Sequence, residues 1–289
     1  MSIKYYTTQL AGILPDLFVK KSAFLRAFGG TLQVQTGVKQ GDTFMTLKTN
    51  DTDTVIQTYS TDPNVAFGTG TGNSNRFGER QEVIIRDKKV DFDAPLAIHK
   101  GIDGFTVNDT PDSVVAEELA KNTVAWTQYV DGLLGKLISD KASETLTGDL
   151  TTEGVTEAFN KAHKTFLNNG VSEAIGHIAY VTADVYNLLV DSGLATTAKN
   201  STVNVDANTL PRFKGFELVE LPETKFQTGE QIYFVAENIG VAGIGLQVAR
   251  TFDSEAFAGV AIQAAAQYGK YVPDANTKAI LKAKLTPAA

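Results

Sequence analysis

Along this chain the spacing of apolar residues changes several times, and each change marks an element. Leu10, Ile13, Leu14, Leu17 and Phe18 recur at three- and four-residue steps, which predicts a short helix within residues 1–30, with Pro15 as a break or a start. Phe24, Leu25 and Phe28 continue the apolar side until Gly29-Gly30 ends it. Such a segment is either an arm docked on a partner or a terminal helix laid on the core. Residues 31–107 then read as strands. Val90, Phe92, Ala94, Leu96 and Ile98 alternate with Lys89, Asp91, Asp93, Pro95 and Ala97, a period of two that predicts one buried face. Pro95 sets that strand at an edge or a bulge.

Between the early and late strands lies Phe67-Gly68-Thr69-Gly70-Thr71-Gly72-Asn73-Ser74-Asn75-Arg76-Phe77-Gly78, glycine-rich and polar. The simplest arrangement is a long two-stranded ribbon with this run as its flexible tip. Its apolar residues are too few for a core, so the ribbon must lie on something else. We expect that to be another copy of the chain.

The helical period returns at residues 111–140. Asn108, Asp109 or Thr110 is placed to cap the helix, and Pro111 suits its first turn. Asp112, Glu117 and Glu118 sit near its positive end. Val115, Leu119, Trp126, Val130, Leu133 and Leu137 form one apolar stripe, and Gly132 and Gly135 permit a bend or a close approach. The pattern then becomes mixed. Val155, Ala158, Phe159, Ala162 and Phe166 predict a helix closed by Asn168-Asn169-Gly170. Residues 178–181 form a short buried strand, and Thr182 caps the helix through Tyr186, Leu188, Leu189 and Val190. Residues 194–210 read as an exposed loop. Strands follow at 215–221, at 231–236 and within 239–272, the last packing back on the long helix.

Composition narrows the functions open to this pattern. The chain holds 43% hydrophobic and 20% charged residues, as globular proteins do. With no run long enough to span a bilayer and no signal-peptide pattern at the start, it reads as made in the cytoplasm, with no membrane. The absence of cysteine excludes disulfides and thiolate chemistry. A net charge of −7 without a Lys/Arg cluster argues against a tight grip on nucleic acid.

Candidate chemistry is sparse. Gly68 to Gly72 superficially matches a dinucleotide loop, but a strand, not a helix, follows it. His99, ending a strand, His163, on a helix, and His177, before a strand, lack metal-ligand spacing. Asp51/Asp53 and Asp91/Asp93 fit solvated strand faces better than a calcium loop. No nucleophile elbow is present, and Trp126 reads as core. We therefore expect no enzyme, no cofactor and no metal site.

The order of elements resembles the major capsid protein of tailed bacteriophages, whose α+β fold is named for phage HK97. Residues 178–189, Ile178-Ala179-Tyr180-Val181-Thr182-Ala183-Asp184-Val185-Tyr186-Asn187-Leu188-Leu189, are similar to the family's strand-then-helix. Lys214 to Glu220 is similar to its glycine-led strand. Phe252-Asp253, Phe257, Ala261-Ile262-Gln263 and Tyr268-Gly269 are similar to its closing strands, and Val272-Pro273 and Ala279-Ile280 to its final segment.

The resemblance implies an N-terminal arm at 1–30 and, at 31–107, an extended β-hairpin, the E-loop, with adjoining P-domain strands. It implies a P-domain with spine helix at 108–149, an A-domain at 150–238, and returning P-domain strands with a C-terminal tail at 239–289. It implies a structural subunit that assembles into pentamers and hexamers of an icosahedral shell around double-stranded DNA, and so a virion location. Intersubunit contacts would fall on the E-loop tip, Phe67, Gly68, Gly70, Gly72, Asn73, Arg76 and Phe77, and on the axial loop, Thr196, Lys199, Asn200, Asn204 and Asp206. The family's cleaved helical extension is missing, because residue 31 already begins the β region, so a separate scaffolding protein is expected beside a portal protein. The same fold serves encapsulin shells around protein cargo. A soluble α/β hydrolase is the reading from another class.

Overall fold

Thirteen-residue runs of small and branched residues, Val241–Asp253 and Gly259–Tyr271, pair antiparallel and form the backbone of one sheet in the computed structural model. The structure describes residues 4–50, 52, 54–62, 75–106, 111–191 and 212–287. In chain order the elements are β1 (Lys4–Tyr5), α1 (Thr7–Lys21), β2 (Gln33–Thr36), β3 (Thr43–Asn50), β4 (Ile85–Asp91), β5 (Leu96–Asp103) and α2 (Pro111–Lys141). Then come β6 (Glu144–Asp149), α3 (Thr152–Asn168), β7 (His177–Thr182), α4 (Ala183–Asp191), β8 (Arg212–Phe213) and β9 (Phe216–Leu221). The chain closes with β10 (Ile232–Ala236), β11 (Val241–Asp253), β12 (Gly259–Tyr271) and β13 (Ile280–Thr286). They fall into two units, one of Met1–Asp42 with Phe92–Ala289 and one of Thr43–Asp91.

The larger unit holds two sheets. In the first, the order is β1-β11-β12-β5, with β2 parallel to β11. In the second it is β6-β13-β10-β7-β9-β8. β7 and β10 are buried along almost their whole length, so both faces of this sheet are covered. α3 and α4 pack against β6, β7, β9 and β13, and α2 against β10 and β13. α2 also touches β12 and β5, and one apolar core runs through both sheets. Its densest part is aromatic: Phe159 meets Phe234 edge-on at 4.9 Å, and Phe216 lies 5.1 Å from Phe234 and 5.3 Å from Phe166.

Several expectations need correction. α1 runs through Pro15, and Leu10 and Leu14 in the turn before it are both buried, which anchors the helix there. The stripe of α2 is rotated from the one expected. Leu134 and Ile138 are buried, whereas Leu133 and Leu137 are only partly so, and the stripe also holds Asn122, Thr123, Thr127, Asp131 and Ser139. Of its glycines only Gly135 marks a close approach: a Cβ there would lie 2.7 Å from Phe24 and 3.1 Å from the Lys225 carbonyl, whereas Gly132 faces open space.

The strand expected through residues 90–98 is two strands, because β4 pairs with β3 and β5 with β12, with Pro95 in the gap. His99 accordingly lies inside β5 rather than at its end. Thr182 is buried, and its hydroxyl has no partner among the described residues, so it does not cap α4. β6 and β13 went unpredicted, although they pair in parallel and complete the second sheet. The proposed caps Asn108, Asp109 and Thr110 and the loop 194–210 lie outside the described residues.

Candidate interaction surfaces

The smaller unit is a ribbon. β3 and β4 pair antiparallel from Thr43↔Asp91 to Asn50↔Ile85. Beyond them the same register continues through side chains. The Thr52 hydroxyl donates to the Glu82 carbonyl at 3.3 Å and accepts from the Ile84 amide at 3.1 Å. The Gln57 amide group donates to the Glu79 carbonyl and accepts from its N–H, at 2.8 and 2.9 Å. The Ser60 N–H donates to the Arg76 carbonyl at 2.9 Å. Gly78 has φ +81°, a left-handed backbone conformation that favours glycine at this turn.

Of the residues expected at the tip, the structure places two. Arg76 returns a guanidinium hydrogen bond to the Ser60 carbonyl at 3.3 Å. Phe77 meets Tyr59 edge-on at 5.1 Å while remaining 77% exposed. Phe67, Gly68, Gly70, Gly72 and Asn73 lie outside the described residues, as do Thr196, Lys199, Asn200, Asn204 and Asp206 of the axial loop. Along the ribbon Val55, Ile56, Tyr59, Val83, Ile84 and Ile85 are also exposed. β4 has no buried residue at all. Apolar side chains on an unburied ribbon form a candidate interaction surface by the same logic that makes a core.

In the larger unit the residues flanking the ribbon are held firmly. Lys39 N–H donates to the Asp42 carboxylate at 2.6 Å, and Phe92 N–H to the Asp42 carbonyl at 3.3 Å. Asp93 N–H donates to the Tyr268 carbonyl at 2.7 Å, and its carboxylate pairs with Lys270.

Two buried carboxylates tie the segments around α2 together. Asp131 is fully buried and accepts from the Ser22 hydroxyl at 2.6 Å, from the Ala23 and Phe24 N–H groups at 2.9 and 3.1 Å, and from Lys225 at 2.7 Å. It thereby fastens the segment after α1 to the middle of α2. Glu230 accepts from Ser139 at 3.0 Å, Tyr233 at 2.7 Å and Lys282 at 2.9 Å. Burial pushes the Glu230 carboxyl up, but hydrogen bonds from Lys282, Tyr233 and Ser139 outweigh it and hold the group below the usual carboxylate range. Sequence reading missed both. Asp131 and Ser139 carried the only signal, as polar residues on the face of α2 that also bears Trp126, Leu134 and Ile138.

The polar cavity beside the second sheet is lined by Arg26, Arg212, His163, His177, Glu217 and Glu237. Arg26 reaches both carboxylates, with contacts of 2.5 and 3.1 Å to Glu217 and 2.5 Å to Glu237. This joins the 3-10 turn Leu25–Phe28 to β9 and to the end of β10. Burial pushes His177 down, and its ring packs on Phe166 and Phe216 at 5.1 and 5.6 Å. These are the contacts of a structural histidine. Among the described residues no group of three acidic or histidine side chains is arranged to hold a metal, and no helix is long and apolar enough to cross a membrane.

Solved structures share this architecture. The chain matches the capsid structure of the cyanophage P-SCSP1u with a TM-score of 0.65 at 9% identity, over 92% of this chain and 89% of that one. It matches the mature capsid of bacteriophage PhiM1 with a TM-score of 0.63 at 12% identity, over 93% and 88%. A structure from Mycobacterium phage Che8 matches with a TM-score of 0.61 at 14% identity, over 100% and 94%. No protein-family model matches the chain, and no curated protein matches it. At such low identity the agreement is one of architecture, an α+β HK97-like capsid fold carried over nearly the whole chain.

Proposed function

We propose, for a chain with the HK97-like capsid fold, that it is the major capsid protein of a tailed bacteriophage, a structural shell subunit and not an enzyme. In this reading copies assemble into pentamers and hexamers, and these close into the icosahedral shell that encloses double-stranded DNA. The observation that carries it is the ribbon Thr43–Asp91: among its described residues only Phe44 is a buried apolar side chain, while seven large apolar side chains are exposed. A protein that worked alone would leave that surface in water.

The same reading assigns the parts. Residues 1–30 are the arm, 108–149 carry the spine helix α2, 150–238 the axial domain, and 239–289 the returning strands. The ribbon crosses a neighbour and adds contact area without a second core. Its glycine-rich tip adjusts that contact between pentamer and hexamer angles. Ring-centre contacts are assigned to Thr196, Lys199, Asn200, Asn204 and Asp206. A net charge of −7 suits a wall that encloses DNA without gripping it. A scaffolding protein guides assembly, and a portal protein completes the shell.

Negative-stain images of the purified chain, alone and with phage extract, test the reading. Rings or closed shells are expected, and a chain that stays monomeric in both overturns it. Deleting residues 60–80 is expected to leave a folded protein that forms no shell. Shells from that variant would remove the role given to the ribbon tip.

A further inference from the structure

α2 buries more polar groups than an apolar stripe requires, and most of them are accounted for. The Asp131 carboxylate and the Ser139 hydroxyl are bonded to other segments. Thr123 and Thr127 turn back on their own helix, donating to the Leu119 and Thr123 carbonyls at 2.8 and 2.9 Å. Asn122 and Trp126 are the exceptions. Asn122 is 1% exposed and Trp126 4%, yet neither amide atom of Asn122 nor the indole N–H of Trp126 has a hydrogen-bond partner among the described residues. The Tyr268 hydroxyl on β12 is buried in the same condition.

These three side chains belong to one place. Asn122 and Trp126 stand one turn apart on the same face of α2, and helical side chains lean toward the N-terminus, so the indole covers the turn that carries Asn122. The Trp126 ring packs 5.8 Å from the Tyr268 ring. Earlier on the helix, Val115 packs on Ile262. α2 therefore runs along β12 between these two anchors, with Asn122 in the interval. The β12 residues on the same face of that interval are Ala264 and Ala266, both buried. Their small side chains leave room that larger residues would fill.

The chemistry of the unpartnered atoms selects what enters that room. An indole N–H only donates, so its partner must accept, whereas an amide calls for donors and acceptors together. None of the three groups is charged, so an ion would enter apolar surroundings without a counter-charge. The atoms are sealed from the surface, so no side chain of another molecule reaches them. A small neutral molecule that donates and accepts at once meets every requirement, and water is that molecule.

We infer that α2 is joined to β12 through trapped water, held by the Asn122 amide, the Trp126 indole N–H and the Tyr268 hydroxyl. α2 is then fastened in two ways, through water at Asn122 and Trp126 and by direct bonds at Asp131 and Ser139. The inference is independent of the shell reading.

Trp126 is the chain's one tryptophan, so a single indole N–H signal in the NMR spectrum reports this site alone. In the monomer that signal is expected to show a rotating-frame Overhauser cross-peak to long-lived water, reduced about fivefold or more by Asn122→Leu. A folded parent chain without the cross-peak overturns the inference. Tyr268→Phe removes only a hydroxyl and serves where Asn122→Leu does not fold. It is expected to weaken the same cross-peak about twofold or more, and an unchanged one overturns the bridge.

Urea unfolding gives a second readout. If water bonds the amide, Asn122→Leu, of similar volume, should raise the folding constant by less than about tenfold, because it gives up bonds as it removes a polar group. A larger gain would mean that leucine had relieved an amide bonded to nothing, and the inference would fall. Where the chain is obtained only as particles, a density map fine enough to show ordered water decides. A peak within hydrogen-bond distance of both the Asn122 amide and the Trp126 indole nitrogen is expected, and a map without one overturns the inference while leaving the shell reading standing.

Discussion

β10 and β4 are both short strands with branched apolar residues, and they end in opposite environments. Ile232, Phe234 and Val235 of β10 are fully buried between covered faces, whereas Ile85 of β4 is 61% exposed and its strand buries nothing. Burying an isoleucine or phenylalanine stabilises by about 1.5–3 kcal/mol. β10 gains that within its own chain, and β4 does not. The larger unit is therefore built for stability, and the proposed shell contact rests on the ribbon. Mutations in the two should separate folding from assembly.

The comparison is broken most directly at Asp131. Asp131→Ala leaves two backbone N–H groups, Ser22 and Lys225 without their acceptor, and should cost about 3–5 kcal/mol in urea unfolding. A loss below 1 kcal/mol would show that this buried carboxylate does not fasten the larger unit.

Acid should act next, through Glu230. Its folded pKa lies below the unfolded value of about 4.3, so its contribution is complete above that pH and is lost as pH falls through the folded value. Stability should therefore fall along an acid limb, and Glu230→Gln should flatten that limb of a stability–pH curve.

The two glycines of α2 should then differ in sign. Gly135→Ala forces a methyl against Phe24 and should cost about 1–3 kcal/mol. Gly132→Ala meets open space and should stabilise by up to about 1 kcal/mol. Thermal melts of the pair decide this.

Smallest of all should be the effect of Phe77→Ser on the unfolding of the isolated chain, within about 0.5 kcal/mol. Its effect on particle yield should be the largest of the set. A Phe77→Ser variant that unfolds easily would show that the ribbon supports its own chain, and the contrast drawn here would fall.

Period and punctuation carried much of the fold. The five apolar residues named for α3 are all buried, and the helix ends at Asn169-Gly170 as its composition dictates. The buried run 178–181 and the strands near 216–221 and 232–236 were legible because a fully covered strand has no polar positions to confuse its reading. β6 and β13 were not. Thr145, Thr147, Lys282 and Lys284 interrupt them; β13 becomes a strand between β10 and β6, and β6 by pairing with β13 across more than a hundred residues.

The candidate site was legible to a similar degree. A ribbon too poor in apolar residues for a core was readable from composition alone, and its register from Thr43 to Ser60 agrees with a single long hairpin. Where the alternation at 90–98 looked continuous, extended backbone merely passes from one unit to the other, since period two reports extension and not the partner. The orientation of α2 likewise needed the fold. Leu133 and Leu134 are equally apolar and adjacent, and only contact with the two sheets decides which is buried. Sequence by itself determined most of the elements, the lack of cysteine chemistry and a ribbon too poor in apolar residues for a core, because these follow from local spacing and composition. Tertiary structure alone decided the Asp131 and Glu230 fastenings, because these join residues that chain order keeps far apart.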